Sequence, residues 1–255
     1  MTTEPATSAP HRDPSPADPI LLVRCDPEET FGIAPASLEA AGASVSVWEA
    51  LDGVSRPSLD GVSGVVLFGS SYNVEHAGEQ PFIEEARALT LEAIDRGVPY
   101  LGICFGAQML AWSLGAEVVK APVREVGYEP LRPTPAAADD PLVSHYADGD
   151  HVFQWHMDTF ALPEEATLLA SGDRVANQAY RVGDRTWGVQ WHFEIDRSEI
   201  DMWLGVFEQA DGPLETSWGK AGSTVRAEAD RLQDRHEELG REVFARFAAL
   251  AASLR

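Results

Sequence analysis

Cys104 ends an apolar run, Val98 to Ile103, and stands between Gly102 and Gly106 with a helix-like segment following at once. That is the sequence form of a nucleophile elbow: a strand, a cramped turn holding one reactive side chain, then a helix. Glycines on either side let the backbone turn without Cβ clashes. A cysteine at a helix start also meets the positive end of the helix dipole, which favours thiolate over thiol. Partners for such a nucleophile occur in Gly188-Val-Gln-Trp-His-Phe-Glu194, where His192 follows a strand and Glu194 comes two residues later. Residues two apart in an extended segment point the same way, so Glu194 can hold one imidazole nitrogen while the other faces the thiol. A histidine base oriented by a carboxylate beside a cysteine is triad chemistry for acyl transfer. Alone, His192 would be a hydrogen-bonded strand-end histidine and Glu194 a solvated loop charge; the upstream elbow turns the pair into a triad.

The elements that must position these groups alternate. Ile20–Arg24, Ser44–Trp48, Gly64–Phe68 and Val98–Ile103 read as strands; Pro35–Ala41, Pro81–Asp95 and Phe105 to about Leu114 read as helices. Continuous apolar strands between helices predict a parallel sheet covered on both faces, with sites beyond the strands' carboxyl ends. Gly69-Ser70 and Cys104 both fall at such ends. The second half predicts strands at Glu117–Val119, Glu125–Leu131, His151–Trp155, Thr167–Ala170, Asn177–Val182 and Thr186–Trp191, the last two joined by a hairpin turn at Gly183-Asp184. A loop or short helix is expected over Pro133–Pro141 and a helix over Ser198–Gln209. From about Ser223 to Leu254, three-four spacing predicts one long amphipathic helix that packs on the domain, the alternative being a dimerisation or partner helix. The division expected is a Pro-rich disordered tail at 1–19, one domain at 20–210, and a helical extension at 211–255.

At 255 residues the chain can bury one ordinary α/β core. Its formal net charge of −22 repels phosphate backbones and anionic lipid, so neither nucleic acid nor membrane is an expected partner. No apolar run approaches the roughly 18 residues of a membrane-spanning helix, and the start lacks a signal-peptide pattern. Two cysteines, Cys25 and Cys104, make no disulfide framework and suit a reducing cytosol. Cys25, beside Asp26-Pro27 with no elbow glycines, reads as a packed thiol. No recognised metal-ligand spacing occurs, and no cofactor is expected.

Gly102-Ile-Cys-Phe-Gly-Ala-Gln108 and Gly188–Glu194 resemble the two signature motifs of class I, triad-type glutamine amidotransferases, in particular the stand-alone members similar to the amidotransferase domain of GMP synthase. The resemblance covers roughly Ile20 to Gln209. It implies a flavodoxin-like, doubly wound, mostly parallel sheet and hydrolysis of the glutamine side-chain amide through a γ-glutamyl thioester. Cys104 would be the nucleophile, His192 the base that then protonates departing ammonia, and Glu194 its orienter. Backbone N–H groups of Phe105 and of the Gly69-Ser70 loop would form the oxyanion hole. The family usually carries Gly-Gly-Pro where Gly69-Ser70-Ser71 stands here, and proline where Phe193 stands. Gln108 matches a glutamine contacting the substrate's amino-acid end, with a half-buried helix glutamine as the alternative. Within Gln154-Trp-His-Met-Asp158, His156 matches a pocket residue, with a structural hydrogen bond to Asp158 as the preferred alternative. No nucleotide-binding motif follows the triad, so either ammonia would pass to a separate synthetase or the protein would act alone. The same triad would equally serve a γ-glutamyl peptidase or hydrolase, and a non-catalytic binding protein is disfavoured by the intact Cys104, His192 and Glu194.

Overall fold

The computed structural model describes residues 18–53 and 55–253. All but the last two residues of the expected N-terminal tail lie outside that range. Among the described residues one nine-stranded sheet runs through the molecule in the order β2-β1-β3-β4-β9-β8-β7-β5-β6. Its first five strands, β2 (Val45–Glu49), β1 (Ile20–Arg24), β3 (Gly64–Leu67), β4 (Tyr100–Ile103) and β9 (Thr186–Val189), are parallel. This is the expected flavodoxin-like half, and alternate residues of its strands feed opposite faces. Leu22, Val66 and Ile103 meet α1 (Ala34–Ala40) and the second half of α6 (Gly222–Ala252) on one face. Leu21, Val65 and Leu67 meet α2 (Pro81–Asp95) and α3 (Phe105–Ser113) on the other.

The remaining strands are antiparallel. β9 turns back into β8 (Ala179–Val182) through Gly183, and β7 (Ala166–Gly172), β5 (Val118–Pro133) and β6 (His151–Phe160) follow. Two short strands were expected where β5 runs unbroken for 16 residues. The interruption is real but local: register shifts between Lys120 and Glu125, around Pro122, which has no N–H to give the ladder. β9 ends two residues earlier than expected. Beyond Val189 the amides leave the strand ladder, Gln190 N–H donating to Gln178 O (2.7 Å) and His192 N–H to Phe153 O (2.9 Å).

A third apolar cluster closes the far end. Val126, Tyr128 and Phe153 of the β5–β6 ribbon pack under α4 (Arg197–Asp211), α5 (Leu214–Trp218) and the first half of α6. α6 therefore serves both regions: Val225 and Ala229 enter this cluster, while Phe244 and Phe247 enter the main sheet core. Its 31 residues span about 46 Å.

Candidate active site

Cys104 caps α3 with φ 50° and ψ −102°, a left-handed backbone that a non-glycine residue adopts at a cost of order 1–3 kcal/mol. The neighbouring framework holds it there. Its amide donates to Val189 O on β9 (2.8 Å), and Gly106 lies so close to β3 that an added Cβ would sit 2.0 Å from Leu67 O. The turn thus delivers the side chain beyond the sheet's carboxyl edge, where it remains 5% exposed.

His192 and Glu194 reach the same place from the end of β9. Glu194 Oε1 lies 2.6 Å from His192 Nδ1, and both side chains are buried. Burial pushes the imidazole pKa down, but the Glu194 charge and the adjacent Cys104 outweigh it and leave the pKa well above the usual histidine value. Phe193, between them, is fully buried and packs at 5.1 Å on Phe244 of α6. α6 also binds this loop directly: His236 Nε2 meets His192 O (2.8 Å) and Gln233 Nε2 donates to Ile195 O (2.8 Å). The bulky residue at 193 is thus an anchor for the long helix, and His192 and Glu194 stay paired around it.

Gly69 lies against the imidazole; an added Cβ would stand 2.8 Å from His192 Cε1. The serines after it fix their own loop. Ser70 Oγ donates to Cys25 O (2.7 Å) and accepts from Tyr72 N–H (3.1 Å), while Ser71 N–H donates to Asp26 Oδ2 (2.7 Å). Phe105 opens α3, where first-turn N–H groups have no intrahelical acceptor. Cys104, His192, Gly69 and Ser70 all border one cavity of about 320 Å³.

Gln108 and His156 lie elsewhere. Gln108 Nε2 donates to Asp158 O (3.2 Å) and Gln190 Oε1 (3.3 Å); Gln190 in turn donates to Cys104 Sγ (3.5 Å). His156 is held between Glu125 Oε2 (3.0 Å) and Asp158 O (2.9 Å), and its bond is to that residue's carbonyl rather than its carboxylate, which pairs with Lys120 (2.9 Å). Neither Gln108 nor His156 borders the cavity. Cys25 is buried, and burial with the charges of Glu29 and Asp26 pushes its thiol far up.

Residues that the sequence did not single out complete the cavity. Trp203 of α4 stands edge-on to His192 with ring centroids 5.1 Å apart, and Trp155 and Phe207 continue the aromatic wall. Trp203 and Phe207 had a signal, since α4 carries more apolar residues than one buried stripe needs. Glu29 had none. It borders the cavity, accepts Phe31 N–H (2.6 Å), and is raised well above the carboxylate range by burial and by the charges of Glu194 and Glu199. Glu199 accepts from Thr30 N–H (3.1 Å) and is itself raised to about 7, mainly by burial. Among the described residues no group of three or more His, Cys, Asp or Glu is arranged to hold a metal, and no helix is long and apolar enough to cross a membrane.

Comparison with known proteins places the chain in a family. The family model described as glutamine amidotransferase class-I matches residues 35–204. A glutamine-hydrolysing GMP synthase of Porphyromonas gingivalis is 36% identical over 180 residues, covering 69% of this chain and 33% of the relative. The chain thus matches about a third of the length of that synthase. A glutamine amidotransferase-like protein of Salmonella typhimurium is 28% identical over 190 residues, 72% of this chain and 78% of its own. The crystal structure of a glutamine amidotransferase from Thermotoga maritima superposes with a TM-score of 0.81 at 26% identity, over 91% of this chain and 98% of that one. With a family match across most of the sheet and the elbow at its centre, this chain belongs to the class I glutamine amidotransferases.

Proposed function

We propose that the chain hydrolyses the side-chain amide of glutamine to glutamate and ammonia through a thioester on Cys104, and that the ammonia passes to a separate synthetase. The observation that carries this reading is the buried His192–Glu194 pair, 2.6 Å apart, set against a cysteine in a strained strand-to-helix turn. Cys104 Sγ attacks the amide carbon while His192 takes the thiol proton. The developing oxyanion meets the backbone N–H groups of Phe105 and of Gly69-Ser70; each such donor is worth roughly 2.7–4 kcal/mol in the barrier. His192 then gives its proton to the departing nitrogen as the C–N bond breaks. Water, deprotonated by His192, cleaves the thioester, and the proton returns to sulfur. Glu194 holds the ring and stabilises its cationic form throughout. Gln108 and Gln190 position Cys104 from behind.

The synthetase partner is supported by the Porphyromonas gingivalis relative, a glutamine-hydrolysing GMP synthase of which this chain matches about a third. Cys25 and Cys104, both free and buried, support a reducing compartment such as the cytosol. The test is ammonia release from glutamine by the purified chain and by Cys104→Ala. Turnover in the first, none in the second and matching melting curves are expected. Ammonia release by the alanine variant would refute the nucleophile.

A γ-glutamyl hydrolase reading rests on the same residues and is favoured by one observation, the apolar wall that begins at His192.

A further inference from the structure

The leaving nitrogen of any amide cleaved here takes its proton from His192, so it departs on the His192 side of the cavity. That side is walled mainly by aromatic and apolar side chains. Trp203 covers the imidazole edge-on at 5.1 Å, and its indole N–H donates to Glu28 O (3.3 Å), tying α4 to the loop after β1. From Trp203 the wall continues along one stripe of α4 through Val206, Phe207 and Ala210 to Asp211. The eight residue rises from Trp203 to Asp211 make this wall about 12 Å long. Trp155 closes it from β6, its ring 6.0 Å from both Trp203 and Phe207. Val206 is 41% exposed, and neither it nor Ala210 contributes to the buried core.

Apart from Cys104 and His192, the ionisable residues of the lining are all acidic. Glu28 and Asp211 are exposed, Asp26 and Glu29 are buried, and neither lysine nor arginine borders the cavity. Asp26 is committed to the backbone, accepting from Glu28 N–H (2.9 Å) and Ser71 N–H (2.7 Å). Glu28 and Asp211 remain for a ligand. Asp211 is also the last residue of α4, where the helix's terminal carbonyls add negative potential. An aromatic wall followed by carboxylates and a helix C-terminus attracts a cation through both charge and ring faces.

We propose that this cavity takes γ-glutamyl amides whose leaving group is an amine with an apolar body and a distal ammonium. The inference rests on the thioester chemistry of Cys104 and adds the leaving group: Sγ forms the thioester, the C–N bond breaks, the thiol proton carried by His192 goes to the amine, and water releases glutamate. Glutamine is then the truncated member of the series, leaving the apolar wall and the acidic end unfilled.

Three γ-glutamyl amides of matched shape test it: those of para-xylylenediamine, para-methylbenzylamine and para-carboxybenzylamine, each compared with glutamine by glutamate release from the full chain. The expected order of kcat/KM is diamine, then methyl, then carboxylate, with the diamine amide about tenfold or more above glutamine. In the double variant Glu28→Gln/Asp211→Asn the ratio of diamine to methyl amide is expected to fall about tenfold, and Trp203→Ala to weaken both aromatic amides relative to glutamine. Glutamine turned over better than all three amides, or a charge-blind series, overturns this inference and leaves the thioester reading standing. No turnover of any of the four, with Cys104 unlabelled by a glutamine-analogue electrophile, overturns both.

Discussion

Burial alone would strip the proton from His192; the Glu194 charge and the Cys104 side chain reverse that and leave its pKa well above 6.5. For a group raised in this way the stabilisation is complete below the unfolded value and is lost as pH climbs through the folded one. Glu194→Gln removes the charge. Its kcat is expected to fall on the order of 10²–10⁴-fold, with the inflection belonging to His192 moving to lower pH. An unmoved pH profile would show that Glu194 does not act through the imidazole. Glu199 provides the complementary case. Burial raises it from 4.5 to about 7, so the folded protein keeps a proton that the unfolded chain has already lost, and stability falls as pH rises through that window. Glu199→Gln retains an acceptor for Thr30 and carries no charge. It is expected to gain on the order of 2 kcal/mol at pH 8 and little at pH 4, read from denaturant melts at the two pH values. These residues differ in how far sequence discloses them. Cys104, His192 and Glu194 stand in two short runs that resemble the family's signature motifs. Glu29 borders the cavity from the loop after β1 and lies near Glu199 at the start of α4, where Thr30 and Glu199 meet across 169 residues of chain.

At the level of elements, the parallel half was legible because each strand is a short apolar run with turn signals at both ends. The Pro81–Asp95 helix matches its expected bounds, with Pro81 opening it and Gly97 following its end. The antiparallel half was less legible, since its strands are defined by partners. β6 continues five residues past Trp155 because Val118–Lys120 pairs with it there, and nothing local in Gln154–Phe160 announces that. α5, five residues between Pro213 and Gly219, is too short to show a period. The long helix was plain from its spacing, whereas its grip on the 192–195 loop was not. Gly240 is the tightest point of that grip: an added Cβ would lie 2.1 Å from Phe193 O. Gly240→Ala must push α6 away from the loop that carries His192. The expected result is a loss of about 1–3 kcal/mol in stability together with a fall in kcat, measured by denaturant unfolding and steady-state assay on the same preparation. A destabilised variant with unchanged kcat would mean that the helix supports the core without positioning the base.

Over the whole molecule, a net charge of −22 sets a field that the cavity mouth shares, with Glu28 and Asp211 at its rim. Encounter with a cationic amide should therefore be steered, and encounter with zwitterionic glutamine should not. Raising ionic strength from about 0.01 to 0.15 M shortens the Debye length from about 30 to 8 Å, and kcat/KM for the diamine amide is expected to fall several-fold while that for glutamine stays flat. Equal salt dependence for the two would remove the steering. All of this presupposes one covalent event at the elbow, and mass measurement after rapid acid quench reads it most directly. During turnover the peptide containing Cys104 should gain the mass of one γ-glutamyl group, the Cys104→Ala protein should gain none, and the buried Cys25 serves as an internal control. Turnover with Cys104 unmodified under conditions that trap the acyl-enzyme, or the adduct on Cys25 instead, would contradict the account.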